Sequence, residues 1–314
     1  MRLATVNMDL SLMPVPVAFA FAAFFTLLAG CTQTFFQPQR VLIDTPGTAG
    51  LRYEELPLRA ADGVELFSWF LPARGTPQAS VLFLHGNAEN VSTHYANVAW
   101  MPGEGFNVLM LEYRGYGRSG GTPSLAGVQL DVDAALRALL ERRDVDAQRI
   151  VLFGQSLGGA LAIHYAARGA HRASLRAVVA DSAFSDYRLI VREKMAGFFL
   201  TWPFQWLSVL TVDNHYSPQA AIGAVSPMPL LLIHGESDGI VSPHHSRRLH
   251  EIAREPKELW LVQSAGHIQS LRDPALRRRL GDYLRRVTRK SPCGGSGAPG
   301  GIRTHDPWLR RPIL

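Results

Sequence analysis

The sequence predicts an α/β fold with a mostly parallel central sheet flanked by helices, and two observations carry that expectation. Short apolar runs without alternation recur along the chain: Val81–Leu84, Val108–Leu111, Ile150–Phe153, Ala177–Ala180 and Leu230–Ile233. Unbroken runs of this length are strands buried on both faces, as parallel strands are when helices cover them. Between the runs lie segments of helical period. Val128, Val132, Ala135, Leu136 and Leu139 form one apolar stripe, and Asp273-Pro274 supplies an N-cap and a first-turn proline before Leu276, Leu280, Leu284 and Val287. Strands that alternate with helices in this way stack as a helix-covered sheet.

The chain of 314 residues is 47% hydrophobic and 18% charged, the usage of a globular protein with a substantial core. Its formal charge is +6, but the cations are scattered among carboxylates and form no stripe interleaved with aromatics. That pattern argues against a nucleic-acid partner. Two cysteines, Cys31 and Cys293, are too few for a disulfide framework or a cysteine-based zinc site.

Residues 1–30 read as a signal peptide. Arg2 gives a cationic start, and Val17 to Ala29 is apolar except for Thr26, shorter than the ~20 residues a membrane-spanning helix needs. Asp9 weakens the cationic start, which leaves Met8 and Met13 open as alternative starts. The run ends in Leu28-Ala29-Gly30-Cys31, which resembles a bacterial lipobox. The resemblance implies a lipidated Cys31 and, with Thr32 rather than Asp after it, passage to the outer membrane of a Gram-negative cell envelope. An uncleaved anchor or an ordinary secretory signal stays open. Residues 31–50, rich in Thr, Gln, Pro and Gly, suit a tether between lipid and domain.

The domain proper is expected over residues 51–290. Tyr53–Arg59 and Val64–Leu71 read as strands joined at Ala61-Asp62-Gly63, where the glycine can adopt a positive φ. Residues 184–226 break the strand–helix rhythm with Phe198, Phe199, Trp202, Phe204, Trp206 and Tyr216. Inserted after the carboxyl end of a strand, where ligands bind in such sheets, they suggest a small aromatic cap over the site. Helices packed on the core would explain the same residues.

The chemistry begins at Gly154-Gln155-Ser156-Leu157-Gly158, between an apolar strand and the helical run Leu157–Arg168. A G-x-S-x-G in that context places the serine on a sharp turn, with glycines where two backbones approach. Serine is a weak nucleophile until a base takes its proton, so a histidine and its carboxylate should follow. Asp238 stands just beyond the Leu230–Ile233 strand and His267 beyond Glu258–Val262, in the order Ser, Asp, His. Glu236 is the rival acid. The negative charge that develops on an acyl oxygen needs N–H donors, for which Leu157 and Asn87 are the candidates, the latter in His85-Gly86-Asn87-Ala88. Glu89 beside that loop reads first as a solvated surface residue, with a role in disfavouring anionic substrates as the alternative. His85 reads as structural, and His94, His164, His244 and His245 form no evident metal-ligand set with nearby carboxylates, so neither metal nor other cofactor is expected.

Taken together, these motifs and Tyr113-Arg114-Gly115-Tyr116-Gly117 resemble the α/β-hydrolase superfamily, in its serine-aminopeptidase-like, cap-poor branch. The resemblance covers about residues 50–290 and implies an α/β-hydrolase fold, a Ser156-His267-Asp238 triad and an oxyanion hole at Asn87 and Leu157. Glu89 departs from the glycine often found in the family's loop. The family's aminopeptidases hold the substrate amine with acidic cap residues, whereas here Asp186, Glu193 and Asp213 are offset by Arg188, Arg192 and Lys194. The expected activity is therefore hydrolysis of a small acyl ester or thioester by an anchored lipoprotein. A peptidase of the same fold and a non-catalytic binding lipoprotein are the alternatives.

Residues 291–314 have the composition of a disordered tail, with Cys293 to Gly301 linker-like. Gly301-Ile302-Arg303-Thr304-His305-Asp306 resembles the peptide made when a reading frame crosses a transfer-RNA gene on the opposite strand.

Overall fold

A computed structural model describes residues 36–289. The signal peptide, the Cys31 lipidation site and the tail from residue 291 lie outside the described residues.

The sheet is built from strands β2 (Glu54–Glu55), β3 (Leu58–Arg59), β4 (Glu65–Leu71), β5 (Ala79–Leu84), β7 (Phe106–Glu112), β8 (Ile150–Gln155), β9 (Leu175–Asp181), β10 (Leu230–Gly235) and β11 (Lys257–Val262). The order across it is β11-β10-β9-β8-β5-β7-β4-β2, with β3 also paired to β4. Every pair from β11 to β7 is parallel, and β4 adds antiparallel to β7. This is the α/β-hydrolase fold. Two further short strands, β1 (Gln37–Pro38) and β6 (Ala88–Glu89), pair separately.

The unbroken apolar runs serve two cores. In β5, Leu82 and Leu84 pack on one face while Val81 and Phe83 pack on the other, and β7 and β10 divide in the same way. Helices α1 (Leu125–Glu141), α2 (Leu157–Arg168), α3 (Tyr187–Ala196), α4 (His244–Ile252) and α5 (Pro274–Val287) cover the sheet and its carboxyl edge. Asp273 caps α5 as expected, accepting from the Ala275 N–H at 2.8 Å.

Two boundaries differ from the expectation. The tether assigned to residues 31–50 is docked from Phe36 onward. Phe36 is buried, β1 pairs with β6, Asn90 donates to the Gln39 and Val41 carbonyls, and the Ile43 N–H donates to Ser92 Oγ. Its Thr and Gln content reads as tether only because its backbone partners are distant in sequence. The strand expected over Tyr53–Arg59 splits into β2 and β3 around Leu56-Pro57, where proline has no N–H to give a ladder.

Candidate active site

The carboxyl edge of the parallel strands gathers the site. Strand β8 ends at Gln155, and Ser156 turns the chain into α2 at φ 53° and ψ −116°. For a residue with a Cβ this region costs about 1–3 kcal/mol, and the surroundings must over-determine it. They do so by close packing. A Cβ on Gly154 would overlap the Gly158 carbonyl, and one on Gly158 would overlap the carbonyl of Leu84, so both glycines are required by contact. The Ser156 N–H also donates to the Asp181 carbonyl at 2.8 Å.

Ser156 Oγ lies 3.0 Å from His267 Nε2, and His267 Nδ1 lies 2.8 Å from Asp238 Oδ2. Asp238 is buried, and its other oxygen accepts the N–H groups of Ile240 and Val241 at 2.8 and 2.9 Å. Burial works against its charge, but hydrogen bonds from His234, His267 and the Val241 N–H outweigh it and hold the carboxyl well below the usual range. Asp238 is therefore an anion at neutral pH, and His267 carries a proton on Nδ1 with its Nε2 lone pair toward Ser156. Glu236, the rival acid, instead pairs with Arg247 at 3.1 Å.

The loop after β5 closes the other side. A Cβ on Gly86 would stand 3.7 Å from that of Ser156, so the loop abuts the serine. It is fixed from behind by two tyrosines of the Tyr113-Arg114-Gly115-Tyr116-Gly117 segment. Tyr113 donates to the His85 carbonyl at 2.9 Å and Tyr116 to the Asn87 carbonyl at 2.7 Å. The Asn87 side chain also accepts the Gln37 N–H at 3.1 Å, which joins β1 to this loop. Leu157 is buried at the first turn of α2, beside Ser156. Glu89 is exposed at φ 70°, a left-handed conformation in which glycine would be unstrained.

His85 is structural, as expected, but with a partner that sequence did not reveal. Its Nδ1 donates to the Gly86 carbonyl at 2.8 Å, and its Nε2 lies 3.2 Å from Glu112 Oε1, both side chains fully buried. Burial lowers the His85 pKa to about 4 and raises that of Glu112 to about 8. Burial thus favours the uncharged form of both side chains.

Three participants were missed. His234 Nε2 reaches the same Asp238 oxygen as His267, Oδ2, at 3.2 Å. Ser182, at φ 56°, accepts the Ile268 N–H at 3.1 Å and ties β9 to the His267 loop. Asp181 is buried and accepts from Gln155 Nε2 at 2.9 Å. His234 and Asp181 each close an apolar strand run, and that position was the available signal.

The expectation for His244 and His245 needs correction. Glu193 of α3 reaches both, at 3.1 and 3.0 Å, so two histidines and a carboxylate converge. The geometry is that of a hydrogen-bonded clasp. The Ser185 N–H donates to His245 Nδ1 at 3.1 Å, which leaves the proton on Nε2, facing Glu193. A metal would need a lone pair at that nitrogen. His94 accompanies His85, and His164 packs near Tyr216.

The cap follows β9 directly, as expected. Asp186 caps α3 and also accepts from Asn214, Ser217 and Gln219, so one carboxylate fastens both ends of the insertion. The cap aromatics do not form core: Phe198, Phe199, Trp202, Phe204 and Trp206 all face solvent, while Tyr216 packs partly against the core.

A serine on a strand-turn-helix, linked through a histidine to a carboxylate at the carboxyl edge of this sheet, defines an α/β hydrolase, and the chain belongs to that family. A model of the serine aminopeptidase (S33) family matches residues 75–224, a span that includes Ser156 but stops before Asp238. The chain is 40% identical over 236 residues to the uncharacterized protein YfhR of Escherichia coli K12, covering 74% of this chain and 78% of that one. It is 35% identical over 231 residues to the α/β-hydrolase domain-containing protein WAV2 of Arabidopsis thaliana, covering 68% of this chain and 71% of that one. Among solved structures, the Pyrococcus furiosus esterase Pf2001 shares the fold with a TM-score of 0.65 at 24% identity, over 80% of this chain and 99% of that one.

Proposed function

We propose that the protein is a serine hydrolase that cleaves a carboxylic ester or thioester through an acyl-enzyme. The observation that carries this reading is the continuous hydrogen-bonded line from Ser156 through His267 to Asp238. Ser156 Oγ attacks the acyl carbon as its proton passes to His267 Nε2, and Asp238 stabilises the imidazolium through Nδ1–H. The N–H groups of Leu157 and Asn87 receive the oxyanion. His267 then returns the proton to the departing alkoxide or thiolate. Water, deprotonated by the same nitrogen, releases the acid and restores Ser156.

An ester or thioester is favoured over a peptide by the state of the cap carboxylates. Asp186 is consumed in fastening the cap and Glu193 in the histidine clasp, which leaves neither free to hold a substrate amine. Turnover of p-nitrophenyl esters of rising chain length, acyl thioesters and aminoacyl amides tests this, with Ser156→Ala as control. Preferential cleavage of the amides would favour the peptidase. The leader supports a second part of the reading, a lipoprotein anchored through Cys31 in the outer membrane. Cys31→Ser should move the active domain out of the membrane fraction, and a variant still in the membrane fraction would point to an uncleaved helix.

A further inference from the structure

Large exposed apolar side chains are unevenly distributed over the described residues. Apart from Leu130 on α1 and Ile252 on α4, they lie on the cap, on the Asp238 loop as Ile240, and on the docked N-terminal strip as Val41 and Ile43. Phe199 is 77% exposed, Trp202 59% and Trp206 57%, and between Met195 and Val212 the sequence carries no charged residue. Isolated apolar residues at a surface are ordinary, but a contiguous patch of this composition marks an interaction face. Paired tryptophans and phenylalanines, with Arg192 and Lys194 exposed at the patch edge on α3, have the chemistry of a headgroup boundary rather than of a dry protein core.

The entry point of the chain limits what can cover this face. The apolar run of the leader ends at Ala29, and the described chain begins at Phe36, beside β1 and the Asn87 loop. From Cys31 to Phe36 the backbone spans at most ~17 Å even when fully extended. That leash joins the domain at the carboxyl end of β5, and the cap leaves the carboxyl end of β9 two strands away across β8, a lateral step of ~10 Å. A domain so held at a membrane has its cap edge, not its opposite edge, within reach of the lipid.

We propose that the cap is a membrane-docking surface: its aromatics enter the headgroup–acyl boundary and hold the Ser156 site against the bilayer, so that an acyl lipid reaches the serine directly from the membrane. This rests on the reading of the leader as an anchor, which cell fractionation of the full chain tests separately. The docking test places the full chain, anchored or added from solution, on phosphatidylethanolamine and phosphatidylglycerol vesicles with bromine on the acyl chains. Tryptophan fluorescence should be quenched, and the quenching should be largely lost in Trp202→Ser/Trp206→Ser. The triple variant Phe199→Ser/Trp202→Ser/Leu210→Ser should keep wild-type turnover of a short soluble ester and lose about tenfold or more on an acyl lipid embedded in vesicles. Trp202→Phe should retain both activities. Equal quenching with and without Trp202 and Trp206, or equal loss of the triple variant on both substrates, would overturn the proposal. So would an unquenched wild type whose self-association is abolished by the triple substitution, because a second copy would then be the occupant. If no ester is turned over at all, the serine-hydrolase reading fails while the quenching still decides docking.

Discussion

His234 Nε2 stands 3.2 Å from Asp238 Oδ2 and 2.8 Å from the Val241 carbonyl, while its Nδ1 meets Ser246 Oγ at 2.6 Å. Two acceptors at Nε2 make it a protonated nitrogen, shared between the Val241 carbonyl and the carboxylate that His267 also uses. His234→Leu should therefore lower kcat by roughly tenfold or more, the cost of one hydrogen bond to a charged group. The depressed carboxyl of Asp238 contributes stability that is full above the ordinary value of 3.8 and is lost as pH falls below it. With one donor gone that contribution shrinks. The difference in Tm between wild type and variant should stay constant down to about pH 3.8 and narrow below it, as pH falls through the folded carboxyl's depressed range, and a difference that does not narrow there would remove His234 from this role.

Tyr116 offers a test of the proposed oxyanion loop without touching Ser156. Its hydroxyl donates to the Asn87 carbonyl at 2.7 Å from a ring that stays buried in the core. Tyr116→Phe keeps the ring and removes the donor. The expected result is a fall in kcat of about tenfold with KM nearly unchanged, as for a group acting only on transition-state geometry. A rise in KM alone would place the loop's role in substrate binding.

Behind the same loop, Glu112 and His85 set an alkaline limit. The Glu112 pKa is raised by burial from 4.5 to about 8, so its contribution to stability is full below about 4.5 and is lost as pH rises to about 8. His85 acts in the opposite direction, with a contribution full above 6.5 and lost as pH falls toward 4. Wild-type Tm should therefore decline between about pH 6.5 and 8. Glu112→Gln, which keeps the shape and an acceptor for the Val91 N–H but cannot ionise, should flatten that decline. An unchanged slope in the variant would mean that Glu112 is ionised in the folded protein.

The sheet was legible because both its faces are covered: Val81, Phe83, Leu82 and Leu84 must all be apolar, and the resulting run has no other simple reading. The line Ser156, Asp238, His267 was legible for a related reason, since Ser156 and Asp238 each follow such a run and His267 follows the strand-like Glu258–Val262. What remained hidden depends on contacts between segments remote in sequence. The β1–β6 pairing joins residues some fifty positions apart, as in Gln37 with Ala88, and its polar composition mimics a linker. The Glu193 clasp on His244 and His245 likewise spans two helices separated by β10. The outward orientation of Trp202 and Trp206 was equally beyond sequence, because an aromatic helix packed on a core and one facing a membrane share the same residues.

Ser156 as the activated nucleophile is open to covalent labelling with a fluorophosphonate. Only a serine whose proton is taken by a base beside N–H donors should react rapidly. Mass spectrometry of the labelled protein should show one adduct, mapped to Ser156, absent in Ser156→Ala and slowed by roughly a thousandfold or more in His267→Ala. Undiminished labelling of Ser156→Ala, or an adduct at another serine in the wild type, would contradict the assignment.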